Sequence, residues 1–334
     1  MSNLVSPFSW EKVKEHLNHF WQYYLGIFLF ISILRLVMSD QTRVMPDSIN
    51  FWFIILAGFS YLLNNFLMSF RLRRILLHLD VKTSFTQVFS SHMGGMLLSD
   101  FTPGRSGYLS VAVFFNRRGI SYEKGLASIT GTFIYEFLFK LGLALLSVLF
   151  MYTTIFGNSM LVCCSATAGI ILSLVVLYLL VVYPPGFVSD LGSRFSIINR
   201  LLETGRECQN LHVKVPFVIF ISGICWILRG FEWYCLAMAI GISSIQFSDA
   251  LFLNPLLTLL SFVPISPSGI GFQESGIVGV FSILGIGLSL SLWFALLVRF
   301  IETGIDLIGL FEVFPQIPKV IKKSISCHKG KGRV

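Results

Sequence analysis

The sequence predicts an all-α polytopic membrane protein with about six transmembrane helices plus two opposed re-entrant helical hairpins, arranged as an inverted repeat. Of its 334 residues, 54% are hydrophobic and only 13% are charged. The mean hydropathy is +0.77, which is far too apolar for a soluble domain. Apolar stretches of membrane-spanning length predict the helices. Two more apolar regions, each interrupted by proline and glycine, predict the hairpins.

The transmembrane helices are predicted from length, because a helix needs about 20 apolar residues to cross about 30 Å of hydrocarbon. Six stretches meet this requirement: about 20–38, 49–70, 126–152, 160–183, 215–240 and 289–313. The charged segment around Lys12 leads directly into the first stretch without a small-residue cleavage site. We therefore expect that span to be retained, within a single integral-membrane domain over 1–334.

The basic residues predict the topology. When the loops are assigned alternately to the two sides, one set holds nearly all lysines and arginines, and the other holds only Arg43. Arg71, Arg73 and Arg74 are assigned to a loop of the basic set, as is the tail 315–334. Basic loops face the cytoplasm, so both termini are predicted to be cytoplasmic in a multi-pass cell-membrane protein. The net charge of +8 therefore requires no nucleic-acid partner.

The two interrupted regions resemble each other. The first is "SFTQVFSSHMGGMLLSDFTPGRSGYLSVAVFF" and the second is "FSDALFLNPLLTLLSFVPISPSGIGFQESGIVGVF". Their breaks correspond, with Pro103, Gly104 and Gly107 against Pro267, Gly269 and Gly271. The spans before them also correspond, at an offset near 165 residues. Such self-similarity predicts two structural repeats, at about 49–152 and about 215–313.

The broken regions are predicted to be re-entrant hairpins, because each arm is too short to cross the bilayer comfortably. Proline and glycine leave backbone N–H and C=O groups without helical hydrogen bonds. Membrane proteins tolerate such groups only beside protein or a water-filled cavity. The second repeat begins on the opposite side of the membrane from the first, so the repeats are expected to be inverted. Inverted repeats with broken helices indicate a secondary transporter's binding site.

Ionisable residues inside the spans are candidates for this site, because charges in a bilayer usually pair or line a pathway. They occur at helical spacing in three groups: Glu136 with Lys140, Arg229 with Glu232, and Arg299 with Glu302 and Asp306. Pairs that merely orient helices are the alternative, and for Arg229 with Glu232 the two interpretations stay open. A role in the cavity is favoured for Glu136, Arg299 and Glu302, which occupy equivalent positions in the two repeats.

The hairpin turns supply the remaining candidates. Arg105 precedes a half-helix predicted to begin near Ser106, where free backbone N–H groups and the helix dipole favour an anion. A guanidinium there would complement a phosphate, with Gly104 and Ser106 beside it.

The second turn brings Gly269 and Gly271 toward the cavity and is followed by Glu274. This carboxylate is predicted to bind a cationic group, to pair with Arg299 or to exchange a proton, and the sequence does not select among these.

Metal and cofactor chemistry is not expected. The six cysteines and six histidines are scattered, and no pair has metal-ligand spacing. No nucleotide-binding loop or catalytic motif is present in the sequence, so we do not expect an enzyme.

Three motifs carry a resemblance to a known family: "PGRSGYLSVAVFFNRRGIS" followed by Glu136, "PSGIGFQE" ending at Glu274, and "LLVRFIETG" containing Arg299. Together they resemble the flippase-like transmembrane region of lysylphosphatidylglycerol synthases and its stand-alone relatives, over roughly residues 50–312. The resemblance implies binding and flipping of a lipid with a phosphate-containing headgroup. Phe137 stands where the family often has an arginine. The sequence ends at Val334 without a synthetic domain, so aminoacyl transfer is not expected.

The sequence therefore predicts a lipid flippase or transporter for a phospholipid or an isoprenoid phosphate-sugar. The alternatives are a membrane enzyme of lipid-linked glycan synthesis and a lipid-binding partner of such an enzyme. The expected partners are a lipid with a phosphate headgroup and either a second copy of the chain or a biosynthetic enzyme.

Overall fold

The computed structural model describes residues 48–150, 214–262, 266 and 269–316, together with positions 24, 28, 31, 32 and 35. The predicted span at 160–183, most of the predicted span at 20–38 and the basic tail from 317 onward lie outside the described residues. Pro264 and Pro267, on which part of the repeat prediction rests, also lie outside them.

The described residues form an all-α fold, with helices and turns and no β-strand. The α-helices are α1 (Phe51–His78), α2 (Phe85–Asp100), α3 (Ser110–Arg117), α4 (Tyr122–Phe150), α5 (Val215–Ala239), α6 (Phe247–Thr258), α7 (Phe272–Ile283), α8 (Leu288–Asp306) and α9 (Leu310–Val313). Short 3-10 helices lie at Ser106–Leu109, Leu259–Phe262, Leu307–Gly309 and Phe314–Gln316.

Three of the described helices are long and apolar enough to cross a membrane: Phe51–His78, Tyr122–Ala144 and Val215–Ala239. They confirm the spans predicted at 49–70, 126–152 and 215–240. The stretch predicted at 289–313 is not one continuous helix, because α8 ends at Asp306 and a 3-10 turn leads into α9. The total of six spans stays a prediction.

The first interrupted region folds as a helical hairpin. Ser84 begins α2 with a capping box that includes Gln87. The break falls at Gly104 and Arg105, whose φ angles of 59° and 56° reverse the chain in the left-handed region. After α3, the Arg118 guanidinium donates to the hydroxyl of Ser90 near the start of α2. The unit therefore returns to the end at which it began.

The second interrupted region is also helical on both sides of its break. Pro255 lies inside α6 and cannot bond the Leu251 carbonyl four residues earlier, which instead accepts the indole N–H of Trp226 at 2.7 Å. Gly269 and Gly271 have φ angles of 70° and 82° just before α7. Residues flanking α6 and α7, Ile245 and Ile286, belong to the same buried cluster, so this unit also turns back on itself.

The long helices that open the two halves pack antiparallel. The Asn50 N–H donates to the Ala239 carbonyl at 2.9 Å, and the Ser60 hydroxyl donates to the Leu228 carbonyl at 2.8 Å. At the other end of the pair, the rings of Phe70 and Phe217 are 6.3 Å apart. The start of α1 therefore lies beside the end of α5.

Each broken unit packs against the last long helix of the other half. In one pairing, the Ser147 hydroxyl of α4 donates to the Phe252 carbonyl of α6, while Phe133 contacts Phe262. In the other pairing, α2 lies against the end of α8 and the segment that follows it. A Cβ on Gly309 would fall 2.6 Å from the Met93 carbonyl carbon, so glycine permits this close approach.

The order of elements is the same in the two halves: a long helix, a short helix, a break, a second short helix and a further long helix. The first residues of corresponding α-helices are 162 to 166 residues apart, close to the offset expected from the sequence. Among the described residues, the largest buried apolar cluster joins α5 to the second broken unit and α8, and it includes Trp233, Leu253, Phe281 and Phe294.

Candidate functional site

A cavity of about 330 Å³ lies where the two broken units meet α1, α4 and α5. Six of the predicted site residues line it: Gly104, Arg105, Ser106, Glu136, Lys140 and Glu302. Four cationic side chains reach its wall, from Arg71, Arg105, Lys140 and Arg229, whereas the lining carboxylates are those of Glu136 and Glu302. Cations therefore outnumber carboxylates among the lining residues, and two further carboxylates outside the lining, Glu232 and Asp100, pair with Arg229 and Arg105.

Glu136 on α4 neutralises two of these cations. Its Oε2 lies 2.5 Å from Nη2 of Arg71, and its Oε1 lies 2.7 Å from Nζ of Lys140 one helical turn away. The Arg71 guanidinium also donates to the Ser222 hydroxyl at 2.7 Å. Arg71 is 4% exposed, so its ion pair with Glu136 and its hydrogen bond to Ser222 join α1, α4 and α5 inside the protein.

Glu302 on α8 receives the other two cations. Its Oε1 lies 2.5 Å from Nη2 of Arg229, and its Oε2 lies 3.6 Å from Nη2 of Arg105. Arg229 also pairs with Glu232 at 2.5 Å, and Arg105 lies 3.8 Å from Asp100. The first hairpin turn is thus joined to α8 and α5 by charge. Arg229 therefore pairs on its own helix and with α8, and it also lines the cavity; its role in the cavity stays a prediction.

Glu274 has two partners and does not line the cavity. One of its oxygens accepts the Gly271 N–H at 2.7 Å, which caps the start of α7. The other lies 2.8 Å from the Arg299 guanidinium. Of the three roles left open by the sequence, the structure shows the pair with Arg299.

The remaining predicted residues at the second turn are placed differently from Arg105. Gly269, Gly271 and Arg299 are not among the lining residues, and α7 reaches the cavity through Gln273. The predicted half-helix at Ser106 is also corrected, because Ser106–Leu109 is a 3-10 turn and α3 begins at Ser110. The helix start therefore lies further from Arg105 than expected.

Arg71 was missed as a site residue, because its position among basic residues at the end of an apolar stretch assigned it to a cytoplasmic loop. The structure shows that this assignment is wrong, since α1 continues to His78 and buries Arg71 beside Glu136. The apolar residues after Arg74, "ILLHL", carried the signal that the helix continues. Uncharged polar residues of the wall were also missed, including Asn64, Ser222, Asn254 and Thr258.

His92 lies beside the cavity wall and is not part of a metal-ligand cluster of the described residues. No group of three or more His, Cys, Asp or Glu residues in the described part of the chain could hold a metal ion. His92 is fully buried and lies 2.7 Å from the Tyr108 hydroxyl and 3.1 Å from the Asn65 amide oxygen. It supports the wall of the cavity, which Tyr108 lines.

Comparison with known sequences assigns the chain to a protein family. The profile of the lysylphosphatidylglycerol synthase TM region matches residues 19–309. The chain belongs to this family. The match confirms the resemblance seen in the three motifs and extends from before α1 to the turn after α8. Members of the lysylphosphatidylglycerol synthase TM family are membrane proteins related to lipid modification or transport.

The chain is also similar to a UPF0104 membrane protein from Methanothermobacter thermautotrophicus. It is 26% identical over 259 residues, which cover 66% of this chain and 71% of that protein. No solved structure matches the chain. Family membership and the three apolar helices together identify a multi-pass membrane protein.

Proposed function

We propose that the protein moves a lipid with a phosphate-containing headgroup between the leaflets of the cell membrane. The headgroup enters the cavity, while the acyl or isoprenoid chains stay in the bilayer. The observation that carries this proposal is the cationic cavity enclosed by both broken units.

The charges of the wall suit a phosphate. Four cationic side chains and two carboxylates line the cavity, and both carboxylates are already paired with arginine or lysine. The Nε atoms of Arg71 and Arg105 are buried and find no acceptor among the described residues. Buried donors without partners are costly, and phosphate oxygens would satisfy them with charge-assisted hydrogen bonds.

The packing of the halves supports alternating access. The antiparallel pair of α1 and α5, and the reciprocal packing of α2 with α8 and of α4 with α6, are what an inverted repeat requires. With the basic loops on the cytoplasmic side, the first broken unit would enter from the cytoplasm and the second from outside. Transport would then proceed as one unit opens its side of the cavity while the other closes.

Transport requires the ion pairs of the hairpins to change partners. Glu302 joins the first turn to α5 and α8, and Glu274 joins α7 to α8. A lipid phosphate that binds Arg105 would compete with Glu302 for the same guanidinium. Binding at the cavity is therefore coupled to the contacts that hold the first hairpin turn.

The test is lipid movement in liposomes that contain the purified protein. We expect a fluorescent phosphate-headgroup lipid to change leaflets faster than in empty liposomes. Glu274→Gln should slow this movement several-fold, because it removes the charge opposite Arg299. The matched control is Glu123→Gln on an exposed residue in the first turn of α4, which should leave the rate unchanged.

Two results would contradict the proposal. Liposomes in which no phosphate lipid moves faster than the background, although the protein binds lipid, would favour a lipid-binding protein without transport. Release of a modified lipid by the purified protein would favour an enzyme.

A further inference from the structure

One wall of the cavity is polar but uncharged. It is formed by Asn254, Thr258 and Ser261 on α6 and the 3-10 turn that follows it, and all three residues line the cavity. We call it the α6 wall. Because α4 runs antiparallel to α6, the α6 wall faces the part of α4 that carries Lys140 and Leu143, which also line the cavity.

Asn254 is the unusual member of the α6 wall. The residue is 5% exposed, and its Nδ2 atom is buried without a hydrogen-bond acceptor among the described residues. An unsatisfied amide is destabilising, so an asparagine here is explained if a ligand supplies the acceptor.

The two hydroxyl groups of the α6 wall, those of Thr258 and Ser261, can accept hydrogen bonds from a ligand. Thr258 donates its proton to the Asn254 carbonyl at 2.8 Å, and Ser261 donates to the Thr258 carbonyl at 2.7 Å. Each hydroxyl oxygen therefore keeps lone pairs that can accept from a ligand. A wall with one free donor and two acceptors matches ligand hydroxyl groups, since a hydroxyl both donates and accepts.

A cationic headgroup does not fit this cavity. The carboxylates among the lining residues are Glu136 and Glu302, and each is bound by two cationic side chains. An ammonium group in the cavity would therefore have to displace a cation that already pairs with Glu136 or Glu302.

We infer that the α6 wall is a subsite for an uncharged, hydroxylated headgroup, either glycerol or a sugar, that is attached to the lipid phosphate. This inference rests on the proposed function and specifies its substrate class. The cationic side chains hold the phosphate, and the α6 wall recognises the group beyond it. A site built to hydrogen-bond a substrate hydroxyl discriminates strongly against an analogue that lacks it.

Binding of four short-chain probes to the purified protein, measured by native mass spectrometry, tests the subsite. Phosphatidylglycerol and a polyprenyl phosphate-hexose carry hydroxylated headgroups. Phosphatidic acid carries the phosphate alone, and lysylphosphatidylglycerol adds a cationic group. We expect the wild type to bind at least one hydroxylated probe about ten-fold more tightly than phosphatidic acid and lysylphosphatidylglycerol. Whichever hydroxylated probe binds more tightly distinguishes glycerol from sugar.

Asn254→Leu should abolish that preference and leave the affinity for phosphatidic acid unchanged, which also shows that the variant is folded. Thr258→Val, which replaces the hydroxyl by a methyl group of similar size, should reduce the preference several-fold. Ser289→Ala is the control, because Ser289 is also buried and without a partner among the described residues but does not line the cavity.

The outcomes separate the subsite from the proposed function. Equal binding of phosphatidic acid and the hydroxylated probes by the wild type, or a preference that survives both Asn254→Leu and Thr258→Val, would overturn the subsite and leave transport standing. Tighter binding of lysylphosphatidylglycerol would also overturn it. Failure of all four lipids to bind would refute the proposed function together with the subsite.

Discussion

At the scale of single residues, Glu136 forms ion pairs with two cations inside the protein, Arg71 and Lys140. Among the described residues, Glu136 is the one ion-pair partner of each of them. Removing one member of a buried ion pair is costly because it leaves the partner charge uncompensated. The cost therefore depends on which member is removed. Lys140 is 32% exposed and can be solvated, whereas Arg71 is buried and cannot.

We expect Glu136→Gln to destabilise the protein by about 3 kcal/mol, because Arg71 and Lys140 both lose their counter-charge. Lys140→Gln should cost about 1 kcal/mol or less, since Arg71 still neutralises Glu136. Thermal unfolding of the detergent-solubilised variants measures the difference. Equal losses for the two variants would show that Glu136 does not act as the shared partner.

Arg105 is the residue for which side-chain geometry can be separated from charge. Its backbone is left-handed, with φ of 56°, and alanine and lysine meet the same backbone restriction there. Arg105→Ala should weaken binding of a phosphate lipid about ten-fold, and Arg105→Lys should weaken it less because the charge remains. Lipid retained through purification, quantified by mass spectrometry, checks this order. Arg74→Ala, on an exposed arginine of α1, is the control, and wild-type binding by both Arg105 variants would remove Arg105 from the site.

At the scale of elements, the first hairpin depends on a close contact between its two arms. The Gly107 N–H donates to the Thr102 hydroxyl at 2.6 Å, and a Cβ on Gly107 would fall 2.6 Å from the carbonyl carbon of Leu98. The turn that carries Arg105 therefore packs directly on the end of α2. A side chain at position 107 would push the turn away from it.

Gly107→Ala should lower the midpoint of thermal unfolding by about 5 °C, because backbone atoms of α2 cannot move aside as a flexible side chain can. Gly142→Ala in α4 is the matched change, since a Cβ there meets no atom within 4 Å. It should leave the midpoint unchanged or raise it slightly, because alanine favours the helix. A Gly107→Ala protein as stable as wild type would show that the arms can separate freely.

At the scale of the whole molecule, the proposed inverted repeat makes the two breaks accessible from opposite sides. The reciprocal packing of each broken unit against the final long helix of the other half gives this expectation its structural basis. The tip of a hairpin that returns to its starting end lies at the cavity. A reagent in water therefore reaches the tip only from the side of the membrane to which the cavity is open.

Single cysteines on a cysteine-free background measure this accessibility. Ser106→Cys should react with a membrane-impermeant reagent from the cytoplasm, and Ile270→Cys from outside. Lys82→Cys and Ser244→Cys, in exposed segments before α2 and α6, are the controls for the cytoplasmic and outer faces. Labelling of both tips from one side under every condition would exclude an inverted repeat.

The sequence by itself determined the membrane class, three of the spans and the two broken units. These features depend on local composition: run length limits a span, and residues such as Gly104 and Gly269 permit the positive φ angles at the breaks. The repeat was also predictable, because it is a property of sequence order. Six of the ten predicted site residues line the cavity because they lie near the breaks or on the spans that border them.

Only the tertiary structure decided which charges meet. Arg71 and Glu136 are 65 residues apart, and Arg229 and Glu302 are 73 apart. The first pair depends on how α1 lies beside α4, and the second on how α5 lies beside α8. The contact of α7 with α8 places Glu274 against Arg299, and the contact of α6 with α4 makes Asn254 part of the cavity wall. Helical spacing fixes the neighbours of a residue on its own helix, but partners on other helices depend on how the helices cross.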